Sequence, residues 1–570
     1  MSIAAAHAAL TGPGSPFEIE ERVIDGRRLR VWKHAAPTTG AQLTAARAFG
    51  ERTFLVHEDE RVGFEAFHRA VAVFAAELVR RGLAPGDRAA LVMRNLPEWA
   101  VAFYAVTAAG GVATPLNAWW TAGELAYALK DSGAKLLVVD AERLARIGEV
   151  LGECPDLRHG YAARAAADLP ANFTPLEAVI GPPGSWERLP DRPLPDVALG
   201  PEDNATLFYT SGTTGAPKGA LGTHRNMLSN AVGAACVAAR AFLRRGEAPP
   251  APDPDAPQPG GLVSIPFFHV TGCFAVLSPA LQGGAKLAMM RRWDAEAAMR
   301  LIERERLTSA GGVPAIAWEL VEHPARHKYD LSSLQTISYG GAPAPPELVR
   351  RILQEFPGAV AGSGWGMTET SGMATQHAAE DYAHRPDSAG PAAPVGDLKI
   401  MSPAGDRELP AGEVGELWFR GPQVVRGYWN KPEATAETFV DGWVRTGDLA
   451  RVDGEGFLFI VDRAKDMVIR GGENIYCVEV ENVLYEHPAV VDAAVIGLPH
   501  RTLGEEPAAV VTLKPGAAVT GEELRRHVAG RLAAFKTPVE VRVRSEPLPR
   551  NANGKILKPA LRELFGKDKG

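Results

Sequence analysis

The sequence predicts an α/β protein in two parts, a large N-terminal domain and a small C-terminal one, on three grounds. The chain has 570 residues, more than one hydrophobic core usually supports. Short apolar runs alternate with segments of helical periodicity, the pattern of a parallel sheet covered by helices. A charged break, DRAKD at Asp462 to Asp466, separates that alternation from a last stretch that reads as a small α/β unit. The expected domains are therefore 1–462 and 463–570.

The elements follow in chain order. Phe64, Phe67, Val71, Phe74 and Leu78 recur at steps of three and four, the apolar face of a helix that Gly82 can close. Arg88 to Met93 reads as a short buried strand, Pro97 to Ala109 as a helix, and Lys135 to Val139 as a strand ending at Asp140. Ala205 to Tyr209 is another apolar strand. EAPPAPDPDAPQPG, between Gly246 and Gly261, is too rich in proline for a regular ladder and reads as a solvated loop. The α/β pattern resumes at Leu262 to Ile265, so this loop is no domain boundary. Gly456 to Val461 is the strand before the charged break. Beyond it a helix from Val478 to Glu486, strands Ala493 to Ile496 and Ala508 to Leu513, and a helix from Gly521 to Ala533 can share one small core.

Composition narrows the function. With 46% hydrophobic and 23% charged residues the chain is globular, and a net charge of -7 leaves no basic footprint for nucleic acid. The four cysteines, Cys154, Cys236, Cys273 and Cys477, are too scattered for a disulfide framework or a metal-ligand pair. A reducing cytoplasm is expected. The N-terminus lacks the parts of a signal peptide, and no run reaches the roughly 18 apolar residues of a membrane span. Small-molecule partners are favoured, and a homodimer is left open.

The strand ending at Tyr209 runs into YTSGTTGAPKG, Tyr209 to Gly219. Thr210, Ser211, Gly212, Thr213, Thr214 and Gly215 bring hydroxyls and approachable backbone N–H groups, and Lys218 brings a positive charge, a set suited to polyphosphate. The spacing of Gly212, Gly215 and Lys218 is not that of a Walker A loop, and Pro217 intervenes.

Further along come YGGAP (Tyr339 to Pro343), GWGMTETSG (Gly364 to Gly372), WVRTGDLARVDGEGFLFIVDRAKD (Trp443 to Asp466), GGENIY (Gly471 to Tyr476) and PRNANGKI (Pro549 to Ile556). On these motifs, in this order, the sequence resembles the adenylate-forming superfamily of acyl-CoA synthetases, carrier-loading adenylation domains and firefly luciferases. The resemblance implies a multi-subdomain N-terminal adenylate-forming domain and a small, mobile α+β C-terminal domain. It also implies a ligase that uses ATP and Mg2+ to turn a carboxylic acid into an acyl-adenylate, releases pyrophosphate, and passes the acyl group to coenzyme A. The apolar run around Val270, Phe274 and Val276 favours an apolar acid, a medium- to long-chain fatty acid or an aryl acid. Loading of a carrier protein, or a catalytically reduced nucleotide-binding relative, are the alternatives. The chain carries no appended carrier domain and retains both Lys555 and Glu369.

Site residues are carried over one by one. Glu369 would hold Mg2+ and Thr368 would contact phosphate. Trp365 stands where the family usually has a tyrosine along the adenine. An indole can stack there, although it brings a donor where a phenol can also accept. Gly340, Gly341, Ala342 and Gly366 would leave room for the nucleotide, and Asp448 with Arg463 would take the ribose. Lys555, after the turn Asn553-Gly554, is the expected catalytic cation, presented at a loop tip. Lys465 is the expected hinge, and Gly471 and Gly472, with Arg470, would line the path of the thiol. Cys477 replaces a proline common at that position and is expected to loosen the turn. His269, Val270, Val313 and Trp318 match segments that wall the acyl site, with His269 open between meeting the carboxylate and simple packing.

Overall fold

The computed structural model describes residues 1–165, 168–210, 216–251, 253, 256–341, 345–551 and 554–566. Two eight-stranded sheets make up most of it. The first runs, in spatial order, Gly427–Tyr428, Gly219–Thr223, Asn204–Tyr209, Val112–Pro115, Arg88–Val92, Leu136–Asp140, His159–Ala163 and Phe173–Pro175. The second runs Thr375–Ala378, Val360–Trp365, Thr336–Gly340, Ser309–Gly312, Gly260–Val263, Lys286–Met289, Thr53–His57 and Glu60–Gly63. Both are mainly parallel with antiparallel strands at an edge, as the alternation of strands and helices predicts.

Between these sheets lies the main core. Phe54 and Leu287 from one sheet, Leu91 from the other, and Phe67, Trp99 and Phe103 from two intervening helices share one cluster. The helix Phe64–Arg80 buries the face read from the sequence, and the chain turns away at Gly82 with φ +86°. Every residue of the helix Pro97–Ala108 is buried, which is why its sequence shows no polar face.

A third sheet joins Asp397–Met401, Gly415–Arg420, Trp443–Val452 and Phe439–Val440, and Leu458–Arg463 pairs with its long central strand. The next sheet begins at Val468 and contains Glu473–Ile475, Val468–Arg470, Gly504–Leu513, Val490–His500 and Val541–Arg544, over its own apolar cluster. The two strands read as Ala493 to Ile496 and Ala508 to Leu513 are arms of a hairpin whose pairing runs on to His500 and Gly504. That extension passes through Gly497, Pro499, Glu505 and Glu506, so backbone pairing carries it where side-chain propensity gives no signal. The helix expected to reach Ala533 ends at Ala529, with Gly530 as its cap. Among the described residues no helix is long and apolar enough to cross a membrane.

Candidate active site

The motif residues gather at the carboxyl ends of parallel strands, where ligands of open α/β sheets bind. Tyr209 ends one strand of the first sheet, and Gly340 and Trp365 end neighbouring strands of the second. Trp365 borders a cleft of about 2050 Å³ lined also by Gly341, Gly366, Asp448, Arg463, Lys465 and Lys555.

Ser211, Gly212, Thr213, Thr214 and Gly215 lie outside the described residues, but their flanks are clear. Thr210 N–H donates to Lys218 O at 2.9 Å and Lys218 N–H donates to Thr210 Oγ1 at 3.3 Å. The loop therefore closes an antiparallel hairpin between Asn204–Tyr209 and Gly219–Thr223. A Walker loop, by contrast, leads straight into a helix; here the helix begins only at His224.

Glu369 sits in a single turn, Thr368–Thr370, and is 6% exposed. The turn folds back so tightly that a Cβ on Gly366 would lie 1.5 Å from Gly372 O, which makes that glycine obligatory. Thr368, half-buried, opens the turn. Glu369 Oε1 accepts the Tyr428 hydroxyl at 2.5 Å, and no described residue hydrogen-bonds Oε2.

Asp448 is held from two sides. Trp365 Nε1–H donates to its Oδ2 at 2.7 Å, and Arg463 Nε lies 3.3 Å from its Oδ1. The indole N–H, a donor only, thus finds the expected ribose carboxylate. The Trp365 ring itself packs into the third-sheet cluster near Phe419. Space for a purine is open on the other side: Gly341 has φ +78° and a Cβ there would meet nothing within 4 Å, while one on Gly340 would only touch Gly364 O at 3.4 Å. Ala342 lies outside the described residues.

Lys555 is not at an exposed tip. Its loop is inserted into the cleft and shaped by the turn Asn551 to Lys555, in which Asn551 N–H donates to Lys555 O at 2.8 Å and Gly554 N–H to Asn551 O at 2.9 Å. Desolvation lowers the Lys555 ammonium pKa to about 8, helped by Arg463 and opposed by Asp448 and Glu369. Gly554, at φ +74°, passes so close to Val313 that a Cβ would sit 2.9 Å from its Cγ2.

His269 precedes a short helix, and its Nδ1 accepts Thr271 N–H at 3.3 Å. Desolvation, then Lys555, pulls its pKa down to about 4, so the ring is neutral at pH 7 and carries its proton on Nε2. Val270, 2% exposed, is packed into the main core together with Phe274. Trp318, on the helix Pro314–Glu322, packs against the second-sheet cluster and borders the outer cleft beside Glu322 and Lys514. Of the four expected wall residues, Val313 meets Gly554 next to Lys555, His269 lies within the field of Lys555, and Trp318 lines the cleft that holds Lys555.

Lys465 lies in the turn after the strand ending at Arg463 and borders the same cleft. Gly471 and Gly472 form the two-residue tip of the hairpin Val468–Arg470 to Glu473–Ile475, with φ +60° and +91°, the pair of positive angles such tight turns require. That tip is exposed and is not among the residues lining the cleft that holds Lys555.

Cys477 does the reverse of loosening its turn. Its backbone N–H donates to Asp462 Oδ2 at 2.5 Å and its thiol to Asp466 O at 3.1 Å; a proline lacks both donors. Asp462 is 3% exposed, and burial pushes its pKa up to about 6.

Sequence reasoning missed Tyr428, which stands in RGYWNK with no glycine run or charge cluster to mark it. Its hydroxyl meets Glu369, and the Lys218 Nζ lies 4.7 Å from its ring centroid. Those partners are 59 and 210 residues away in sequence, so only the fold reveals them.

Comparison with known proteins shows the family. The sequence model of the AMP-binding enzyme family matches residues 43–429, and that of the AMP-binding enzyme C-terminal domain matches residues 479–555. A feruloyl-CoA synthase from an Amycolatopsis species is 37% identical over 521 residues, 91% of this chain and 97% of that protein. The long-chain-fatty-acid–CoA ligase FadD13 of Mycobacterium tuberculosis is 35% identical over 509 residues, 89% of this chain and 94% of that one. Among solved structures, ATP-bound MatB from Rhodopseudomonas palustris superposes with a TM-score of 0.79 at 29% identity, covering 93% of this chain and 99% of that one. The o-succinylbenzoate CoA synthetase MenE of Bacillus subtilis, in complex with its acyl-adenylate, gives a TM-score of 0.75 at 29% identity, with 92% and 98% covered. With both family models matched in order along a fold shared over nearly its whole length, the chain belongs to the adenylate-forming AMP-binding enzymes and is an AMP-forming acyl-CoA synthetase.

Proposed function

We propose that this synthetase activates an apolar carboxylic acid, aryl or fatty, and that the state described above is the one that makes the adenylate. The observation that carries the reading is the placement of Lys555, whose ammonium is desolvated in the cleft within the field of Glu369, Asp448 and Arg463. Attack of a carboxylate on the α-phosphate of ATP brings two anions together, so the site must supply positive charge where negative charge develops. Lys555 bridges the acid and the α-phosphate. Lys218 and the hydroxyls of the phosphate hairpin take the leaving pyrophosphate, with Thr368 on the opposite wall.

Glu369 suits Mg2+: one carboxylate oxygen is tied to Tyr428 and the other has no hydrogen bond from any described residue, which leaves it for a metal as a single protein ligand beside substrate phosphates. Magnesium bound there would supply charge compensation on the phosphates. Asp448, held by Trp365 and Arg463, accepts the ribose hydroxyls with lone pairs those two donors leave unused. His269, neutral and protonated on Nε2, donates to an oxygen of the acyl carboxylate.

For the second half-reaction, Lys555 must leave and the thiol must enter. Lys465 sits in the short link between the third sheet and the small C-terminal sheet, and rotation there would exchange the Lys555 loop for the Gly471-Gly472 hairpin. The names of the relatives, a feruloyl-CoA synthase and a long-chain-fatty-acid–CoA ligase, support an apolar acid of either kind. The test is a pyrophosphate-release screen over aryl, fatty and short branched acids, with and without CoA. Acid-dependent release of AMP and pyrophosphate with an aryl or fatty acid is expected. Turnover confined to short polar acids, or release of ADP and orthophosphate, would overturn the reading.

A further inference from the structure

Tyr428 touches both ends of the phosphate-handling apparatus. It lies on the two-residue strand Gly427–Tyr428, which pairs antiparallel with Gly219–Thr223, the strand leaving the phosphate hairpin. Trp429 N–H donates to Gly219 O at 2.7 Å and Arg426 N–H to Leu221 O at 2.9 Å, so the segment is stitched to that strand on both sides. Val425 N–H donates to Glu369 O at 3.0 Å, which fixes the same segment to the Glu369 turn. The residue is then braced: the Tyr428 backbone N–H donates to Thr435 Oγ1 at 2.9 Å, and Phe439 meets its ring at 5.5 Å, edge to face. From this seat the hydroxyl reaches Glu369 Oε1 and the ring face receives the Lys218 ammonium.

We infer that Tyr428 is a positioning residue for adenylation, one side chain that sets the orientation of the Glu369 carboxylate and the station of the Lys218 ammonium together. This rests on the reading of Glu369 as the Mg2+ residue. Without the hydroxyl the carboxylate loses its one side-chain hydrogen bond among the described residues and can turn about its terminal bond. Without the ring, the lysine loses the surface that keeps its charge beside the hairpin.

Two substitutions separate the functions. Tyr428→Phe keeps the ring and deletes the hydroxyl; Tyr428→Leu deletes both. The probes are Mg2+ titrated against ATP binding by calorimetry with no acid present, and acid-dependent pyrophosphate exchange into ATP. Tyr428→Phe should raise the Mg2+ concentration for half-maximal ATP binding about tenfold, the loss of one hydrogen bond to a charged group, with magnesium-free ATP binding unchanged. Tyr428→Leu should add a weakening of magnesium-free ATP binding by about threefold, the contribution of a partly exposed cation–π contact. Thermal melting of both variants identifies a folding defect, which would lower the bound fraction without moving the half-saturation point. Glu369→Gln serves as reference. If it removes the magnesium dependence while Tyr428→Phe keeps the parent half-saturation, the Tyr428 inference is wrong and the Glu369 reading stands. If Glu369→Gln leaves the dependence intact, both are wrong.

Discussion

Gly554→Ala perturbs the approach of Lys555 in two separable ways. Gly554 has φ +74°, and its missing Cβ would lie 2.9 and 3.2 Å from the two methyls of Val313. The left-handed backbone costs an alanine about 1–2 kcal/mol wherever the loop keeps this conformation. The overlap with Val313 exists only while Lys555 is in the cleft, and inserting one methyl against a fixed neighbour costs about 1–3 kcal/mol. That second cost falls on adenylation alone, and corresponds to a rate loss of about 5- to 150-fold. The assay pairs acid-dependent exchange of labelled pyrophosphate into ATP with CoA-thioester formation from synthetic acyl-adenylate. Exchange should fall within that range, and thioester formation should stay within about twofold, provided the backbone strain is equal in both states. Val313→Ala removes both methyls, so the double variant should regain most of the lost exchange. A double variant no faster than Gly554→Ala, or an equal fall in both half-reactions, would refute the contact as the gate for Lys555.

Three further outcomes follow from the same geometry. The Lys555 ammonium, its pKa lowered to about 8 by desolvation, must be charged to act, so kcat/KM for exchange should decline as pH rises through about 8, and Lys555→Arg should abolish that limb whatever its absolute rate; a limb unmoved by the substitution would assign it to another group. Trp365→Phe deletes the N–H donated to Asp448, and calorimetry should show ATP binding weakened about tenfold, as for one hydrogen bond to a charged acceptor; unchanged affinity would mean Arg463 alone suffices to orient the carboxylate. Asp462 has its pKa raised from 3.8 to about 6 by burial, so the native state holds that proton more tightly than the unfolded chain. Its contribution to stability is complete below about pH 4 and is lost as pH rises to about 6, roughly 3 kcal/mol in all. Urea unfolding should therefore show Asp462→Asn gaining on the parent between pH 4 and pH 7, and the opposite slope would overturn the assignment.

What the sequence made legible was local or periodic. The helix at Phe64–Arg80 follows from apolar spacing, and Gly554 is a glycine whose motif pointed to a turn. The strands Arg88–Val92, Leu136–Asp140 and Asn204–Tyr209 of the first sheet, and Gly260–Val263 of the second, were read within a residue or two because they are short apolar runs. What escaped was decided by partners far along the chain. Tyr428 carries no mark until Lys218 and Glu369 are folded beside it. Cys477 reads as the absence of a proline until Asp462, fifteen residues earlier, is seen to use the N–H that proline lacks. Val270 has the composition of a pocket wall, yet apolar composition does not distinguish a wall from a core, and the structure packs it into the main hydrophobic cluster.

The hydrogen bond from Trp365 to Asp448 also gives the enzyme an optical handle. An indole whose N–H points at a carboxylate emits according to the charge and polarity at that end of the ring, and a nucleotide ribose engaging Asp448 changes both. The chain has 11 tryptophans, several as deeply enclosed as Trp99 and Trp186, so the raw spectrum is crowded. Subtracting the emission of Trp365→Phe from that of the parent isolates the one indole hydrogen-bonded to Asp448. Stopped-flow traces of that difference would time the arrival of ATP and the departure of AMP without a label, in the same cuvette in which the acid is varied.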